Sequence, residues 1–413
     1  MSTTVIQTYA IALGIGKSNI KPILIYALTY FNYYLMNLEN QSQVTKKLLK
    51  EYDSIMIDCS LADSVIANGL TENPEWNVLL LEVVSYETEI TDVSALSLYL
   101  QNTKLNWKYR AQAQDRACQA MKNNRCVEPV LGVSSVLNTM LYIRGNRHDF
   151  DQWESFGNPE WAYDNRKTPN IIAQKKSHGA KYIRNVEVIF AKKEVILSVS
   201  AINTPQLLML SGIDVKNHLE NLNIPVIQDS PGVGQNLQDH IGVGGLIFLV
   251  DYNISLKTSV LTNLNAILEY AINEKGSLAS SIGLEVVANA FCLTNDFYDN
   301  AYNEIINHDS FSIISMILRP KSRKYVKLNS KNLLNYPLMY HDYLMNPDDV
   351  NVLRRVKITI AFAETSSLKK LRARLYSKSL LNCKHLTMFI DEYWECAICQ
   401  FTMTIYHIIG QVF

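Results

Sequence analysis

The sequence predicts an α/β domain built from βαβ units, followed by a second domain of the α+β class. Between residues 54 and 82, an apolar strand, an amphipathic helix and a second apolar strand follow one another. A further strand and helix lie between residues 194 and 213, and after residue 242 strand-like runs are followed by helical stretches. Continuous apolar runs are typical of parallel strands that are covered by helices on both faces.

Length and composition are those of a two-domain globular protein. The chain has 413 residues, of which 48% are hydrophobic and 19% are charged, which is enough for two packed cores. Basic and acidic residues both number 39, so the net charge is zero and a nucleic-acid partner is not expected. We expect an N-terminal segment at 1–50, a first domain at 51–245 and a second domain at 246–413.

The first βαβ unit has the size of a dinucleotide-binding unit. A buried strand at Ser54 to Ile57 precedes the helix, and a second strand follows at Val78 to Glu82. The apolar helix positions are Leu61, Ala62, Val65, Ile66 and Leu70. The unit covers about 30 residues, which is the length of a Rossmann-like βαβ unit.

The second strand and helix carry recognisable helix boundaries. Val195 to Leu197 form the strand, Thr204 is placed to cap the next helix with Pro205 in its first position, and Gly212 is placed to end it. The elements predicted after it are a turn at 231–234, strands at 242–250, 312–318 and 325–328, and helices near 350–376.

An apolar segment at 22–36 follows Lys17 and Lys21. This arrangement suits the core of a secretory signal, and we favour that interpretation, and hence a secreted protein, over a buried or surface helix. The segment is short for a membrane span of about 20 residues and contains Asn32. Membrane association through it is the weaker alternative.

Residues 130–151, VLGVSSVLNTMLYIRGNRHDFD, closely resemble the first signature of the glucose-methanol-choline (GMC) oxidoreductases. Four further blocks resemble parts of the same family in the same order, so the resemblance runs from about residue 51 to the last residue. They are SAINTPQLLMLSGI at 200–213, PGVGQNLQDH at 231–240, RPKSRKYVKLNSKN at 319–332 and DEYWECAICQFTMTIYH at 391–407.

The resemblance implies a Rossmann-like FAD-binding domain, a substrate domain and oxidation of a CH–OH group in an alcohol or sugar. His407 would be the general base that takes the hydroxyl proton while hydride passes to the flavin, a role that suits imidazole near neutral pH. The electron acceptor stays open between oxygen, a quinone and a dye-like partner. The cofactor-binding positions carried over from the family are Glu82 for the ribose, and Gly132, Ser134, Ser135 and Asn138 for the flavin.

Some residues depart from the family pattern. The glycines of the GxGxxG turn correspond to Asp58, Ser60 and Asp63, and Ser200 also replaces a glycine. A contact near 4 Å between an acidic side chain and the FAD diphosphate is unfavourable by about 4 kcal/mol. This energy would lower the affinity for FAD roughly a thousandfold. The alternative function is therefore a decayed pseudoenzyme that keeps the fold but no longer binds FAD.

Two further expectations follow from the family pattern. The second active-site residue, a histidine or asparagine, belongs to a family segment beyond Phe413, so we expect a C-terminally truncated copy. His240 and Asp239 are expected to lie in a structural loop near the flavin, and they are not assigned to catalysis.

The seven cysteines are too few for a disulfide scaffold. Insect secreted members of the family carry cysteines in the matching DRAC…RC stretch, which makes Cys118 with Cys126 the first expected pair. Cys383 with Cys396 is the second. Cys396 and Cys399 form a CxxC without a second ligand pair nearby, so a zinc site is not expected.

Overall fold

The fold was obtained as a computed structural model, which describes the chain in several stretches. The signature segment at 130–145, with the predicted flavin-binding residues Gly132, Ser134, Ser135 and Asn138, and the apolar segment at 22–36 lie outside the described residues. The described residues are 48–58, 61–82, 93, 100, 106–128, 146–164, 188–244, 246–252, 263, 265–266, 269–270, 292–353 and 356–410.

Helices and strands are both present, as the α/β prediction requires. The described helices are α1 (Leu61–Leu70), α2 (Arg147–Ser155), α3 (Ser200–Leu210), α4 (Lys216–Asn221), α5 (Asn295–Tyr302), α6 (Pro347–Leu353), α7 (Val356–Ala363), α8 (Ser366–Lys369) and α9 (Asp391–Phe401). The described strands are β1 (Glu51–Ile57), β2 (Val78–Leu81), β3 (Tyr109–Arg110), β4 (Val127–Glu128), β5 (Phe190–Leu197), β6 (Ile213–Asp214), β7 (Gln228–Asp229), β8 (Gln235–Val243), β9 (Ile247–Leu249), β10 (Ser310–Ser312), β11 (Ser315–Met316), β12 (Lys324–Lys327), β13 (Leu338–Tyr340), β14 (Arg374–Leu375) and β15 (Thr402–Ile409).

The predicted βαβ unit is confirmed. Strand β1 lies between β2 and β5, and both pairings are parallel, with Ile55 opposite Leu79 on one side and Val195 on the other. Residues 52–56 of β1 are buried, as is typical of the central strand of a parallel sheet. The carboxyl ends of β1 and β2 therefore lie at the same edge of the sheet, which is the edge where open α/β sheets bind their ligands.

The helix after β5 starts earlier than predicted. Helix α3 begins at Ser200, so Thr204 is not its cap and Pro205 lies inside it. The side chains of Ile202, Pro205 and Met209 are buried. Packing therefore extends the helix to the N-terminal side of the cap that the sequence predicts at Thr204. The predicted end is correct, because Gly212 follows the helix with φ +86°, a conformation that suits glycine.

The second part of the fold is antiparallel and centres on β8. This strand pairs with β11, β12 and β15, while β9 pairs with β10 and β14 in a separate sheet. The expectation that residues 236–240 form a loop is wrong, since they lie within β8. The single strand predicted at 242–250 is divided between β8 and β9, which belong to different sheets.

Two disulfides tie the antiparallel part together, and both predicted pairs are confirmed. Cys118 bonds to Cys126 with 5.5 Å between their Cα atoms, and Cys383 bonds to Cys396 with 5.9 Å, both in the usual range for disulfides. The Cys118–Cys126 pair lies in an apolar cluster with Ile241. None of the helices within the described stretches is long and apolar enough to span a bilayer.

Candidate functional site

His407 lies on β15 directly after a break in the strand register. Thr404 pairs with Ile241 and His407 pairs with His240, so β15 has two residues between these pairs and β8 has none. Tyr406 takes φ +67° inside this bulge, and its N–H donates to Oγ1 of Thr404 at 2.9 Å. Bulges redirect side chains and are frequent beside active sites.

The bulge places the ring of His407 beside that of a second histidine, in an edge-to-face arrangement. The ring centroids of His240 and His407 are 6.1 Å apart and the rings are nearly perpendicular, at 83°. Partial burial and, to a smaller degree, the charge of His240 lower the pKa of His407 below its usual 6.5. The side chain of His407 stays accessible to solvent. A neutral, accessible imidazole is what a general base requires near neutral pH.

The two faces of β8 differ in character. Asn236, Gln238 and His240 alternate along the partly exposed face. Asp239 lies on the other face, is almost completely buried, and accepts a hydrogen bond from the Tyr343 hydroxyl at 2.6 Å. The histidine pair thus lies on the polar face, and Asp239 belongs to the buried packing behind it.

Sequence reasoning missed His240, because NLQDH was interpreted as a loop. The signal that reveals it is the period-two alternation of polar and buried residues from Asn236 to Ile241, which is typical of a strand with one buried face. Its pairing with His407 depends on a bulge 165 residues further along the chain. No local pattern in the sequence indicates that bulge.

In the turn after β1, Asp58 has a backbone conformation that is typical of glycine. Asp58 has φ +104°, which residues with a Cβ adopt rarely and glycine adopts freely. Its N–H donates to the carbonyl oxygen of Leu81 at 2.9 Å, which ties the turn to β2. The first glycine position of the motif therefore combines glycine geometry with an acidic side chain.

Asp63, at the third glycine position, is fully buried in the first turn of α1. The free N–H groups at the start of a helix attract an anion, and in dinucleotide-binding folds that anion is the cofactor diphosphate. Here a carboxylate of the chain itself is already at the positive end of the helix dipole. It also fills space that glycine leaves for close packing of helix and strand.

Glu82 follows β2 and is partly exposed. The hydrogen bond from Asp58 to Leu81 brings Glu82 close to the turn, as expected for a carboxylate that binds ribose hydroxyls. Glu82 therefore fits the ribose end of FAD, whereas Asp58 and Asp63 do not fit its diphosphate. Ser60 lies outside the described residues. The described residues do not fit FAD as a whole.

A separate cavity of about 40 Å³ lies beyond the end of β8, between Val243 and Trp394. That volume holds about one water molecule. It is lined mainly by apolar side chains and lies away from both His407 and the turn after β1. The cavity is therefore too small for a sugar or alcohol substrate, and it belongs to the packing of α9 against the sheet.

Comparisons with known proteins agree with the mixed α/β fold. The fold resembles that of a formate oxidase from Aspergillus oryzae, with a TM-score of 0.64 at 19% identity over 88% of both chains. The GMC oxidoreductase family model matches residues 167–242. The solved structures show the class of fold, a mixed α/β fold, and the family model shows similarity to the GMC oxidoreductases.

The chain is similar to members of the GMC oxidoreductase family, a family of FAD-dependent oxidoreductases. It is 26% identical to the glucose dehydrogenase [FAD, quinone] of Drosophila melanogaster, over 85% of this chain and 76% of that protein. It is 25% identical to the oxygen-dependent choline dehydrogenase of Yersinia pestis, over 84% of this chain and 83% of that protein. The Drosophila alignment spans 481 positions, more than the 413 residues of the chain, so it contains gaps in this chain.

Proposed function

We propose that this chain is a pseudoenzyme of the GMC family, which keeps the fold but does not bind FAD and acts through binding rather than flavin chemistry. The observation that carries the proposal is the acidic turn after β1. Asp58 holds a glycine conformation there, and Asp63 is buried at the start of α1. Both residues correspond to glycine positions of the turn that binds the cofactor diphosphate in dinucleotide-binding folds.

Electrostatics support this proposal. The FAD diphosphate would add negative charge to an edge that already carries Asp58, Asp63 and Glu82. One like-charge contact near 4 Å is unfavourable by about 4 kcal/mol, or roughly a thousandfold in affinity. The attraction of the helix N-terminus for the diphosphate should also be weaker, because Asp63 lies in the first turn of α1 and its negative charge would offset the helix dipole.

The test is flavin binding by the purified full chain. We expect colourless protein that gains no flavin absorption when FAD is added. The combined variant Asp58→Gly, Ser60→Gly and Asp63→Gly should bind FAD more tightly by a factor of about a thousand for each like-charge contact it removes. The matched control is Asp296→Gly, which removes an exposed acid from the first turn of α5, and it should not gain binding. Wild-type protein that purifies with bound flavin would overturn the proposal.

A second candidate is an FAD-dependent oxidoreductase that acts on a CH–OH donor, and the geometry of His407 favours it. The lowered pKa keeps the imidazole neutral and able to accept the hydroxyl proton. The names of the relatives point to small hydroxyl-bearing substrates such as glucose and choline, so the substrate would be a small alcohol or sugar. The electron acceptor stays open.

Turnover with excess FAD and a dye acceptor tests this second candidate. Wild-type protein should reduce the dye in the presence of an alcohol or sugar panel, and His407→Gln should lose most of this activity. The control His308→Gln changes a histidine on a different segment, after α5, and should keep it. No reduction of the dye by wild type at saturating FAD would exclude the candidate.

A further inference from the structure

We infer that His240 is a positioning residue for His407, and that its imidazole on β8 holds the His407 ring in place and in the neutral form. The inference rests on the proton-accepting role of His407 in the second candidate function. It does not depend on the presence of flavin, because it concerns two side chains of the described fold.

Backbone pairing fixes the relation between the two rings. His240 and His407 are opposite one another on antiparallel strands, so their side chains project from the same face of the sheet. The edge-to-face arrangement, with centroids 6.1 Å apart at 83°, places one imidazole against the other. A ring with a neighbour on the adjoining strand has fewer accessible orientations than a ring alone on a surface.

The proximity of His240 also affects the protonation of His407. Positive charge on His240 disfavours a proton on His407. Burial is the larger cause of the lowered pKa of His407, and His240 is the second cause. Removing His240 should therefore raise the pKa of His407 without restoring it fully.

Other titratable groups lie on β15 itself and on the two strands that contact it. Strands β8 and β4 contact β15, and β8 carries Asp239 in addition to His240. Asp239 pairs with Ile408 in the register, and its carboxylate accepts from Tyr343 on the buried face. Tyr406 of β15 is half-buried with a buried hydroxyl, and its pKa is raised, mainly by burial. Strand β4 contributes Glu128, which the experiment includes as a control.

The experiment is an NMR pH titration of the histidine signals in the full chain, with the His407 signal assigned by its loss in His407→Gln. In His240→Gln the pKa of His407 should rise. In Glu128→Gln and in His308→Gln it should rise less or not at all. An unchanged pKa in folded His240→Gln, or an equal rise in the controls, would overturn the inference.

A second variant covers the case in which His240→Gln fails to fold. In His240→Asn, which also removes the imidazole, the pKa of His407 should rise as well. An unchanged pKa of His407 in folded His240→Asn would also overturn the inference. The titration needs no cofactor or turnover. A raised pKa of His407 without any activity would exclude the oxidoreductase function alone, whereas activity without that rise would exclude the role of His240 alone.

Discussion

Two of the non-glycine residues with positive φ replace glycines of the family pattern. Asp58 has φ +104° and Ser200 has φ +65°. The fold therefore preserves the local geometry after the residue type has changed. A residue with a Cβ in the left-handed region is strained by about 1–2 kcal/mol, so both sites make the chain less stable than the glycines would.

Ser200 allows this strain to be measured away from the dinucleotide turn. Ser200→Gly should raise the free energy of unfolding by about 0.5–1 kcal/mol, because relief of strain exceeds the added entropy of the unfolded chain. Urea unfolding is the measurement. Ser366→Gly, at an exposed first helix position without positive φ, should lower stability instead. Equal effects of the two substitutions would contradict the argument.

At the scale of elements, the disulfide between Cys383 and Cys396 fixes a short helical turn to α9. Its sequence separation is 13 residues, and closing a loop of that length stabilises a protein by about 3 kcal/mol. Cys383→Ala with Cys396→Ala should lower the free energy of unfolding by about that amount. Chemical denaturation without reductant is the measurement.

The control for the disulfide lies on the same helix. Cys399 is a free thiol on α9, and burial raises its pKa, so it is a poor nucleophile at neutral pH. Cys399→Ala should leave the unfolding midpoint near that of wild type. Reductant should lower the midpoint of wild type and of Cys399→Ala. If neither midpoint falls on reduction, the stabilising role of the bond is wrong.

The turn before β8 depends on a glycine for two reasons. Gly234 has φ +73°, and a Cβ there would lie 2.6 Å from the carbonyl oxygen of Val326 on β12. Gly234→Ala should therefore lower stability by about 2–5 kcal/mol, the sum of strain and overpacking.

Gly69 in α1 is the matched control for Gly234, because a Cβ added there meets no atom within 4 Å. Alanine favours a helix over glycine by about 1 kcal/mol, so Gly69→Ala should raise stability slightly. Thermal unfolding of both variants measures the difference. Similar midpoints for the two would show that the turn before β8 is more adaptable than its contacts indicate.

The sequence predicted elements well where local patterns and packing agree. The alternation of β1, α1 and β2 is such a case, because long apolar runs are buried as expected. The sequence did not predict the start of α3, because burial of Ile202 extends the helix beyond the cap predicted at Thr204. It also did not predict β8, because the pairing partners of this strand are distant in the chain. The histidine pair could not be predicted for the same reason.

For the molecule as a whole, burial is unevenly distributed between the parallel sheet and the antiparallel sheets. Near β1, Tyr52, Ile55 and Leu79 form a small buried cluster, while Val195 of β5 stays 53% exposed. The cluster around Ile241 contains many more buried side chains. Local opening is easiest where burial is sparse, so the parallel sheet should open before β8 and β15.

Hydrogen exchange measured by mass spectrometry tests this difference and the proposed loss of FAD binding together. Amides of β1 and β5 should exchange faster than those of β8 and β15. Added FAD should leave the wild-type pattern unchanged, since a ligand slows local opening only when it binds the closed form. In the variant with glycines at 58, 60 and 63, FAD at 100 times its Kd should slow exchange in β1, α1 and β2 about a hundredfold, or ~2.7 kcal/mol. Protection of the same peptides in wild-type protein would mean that the acidic turn accepts the diphosphate after all.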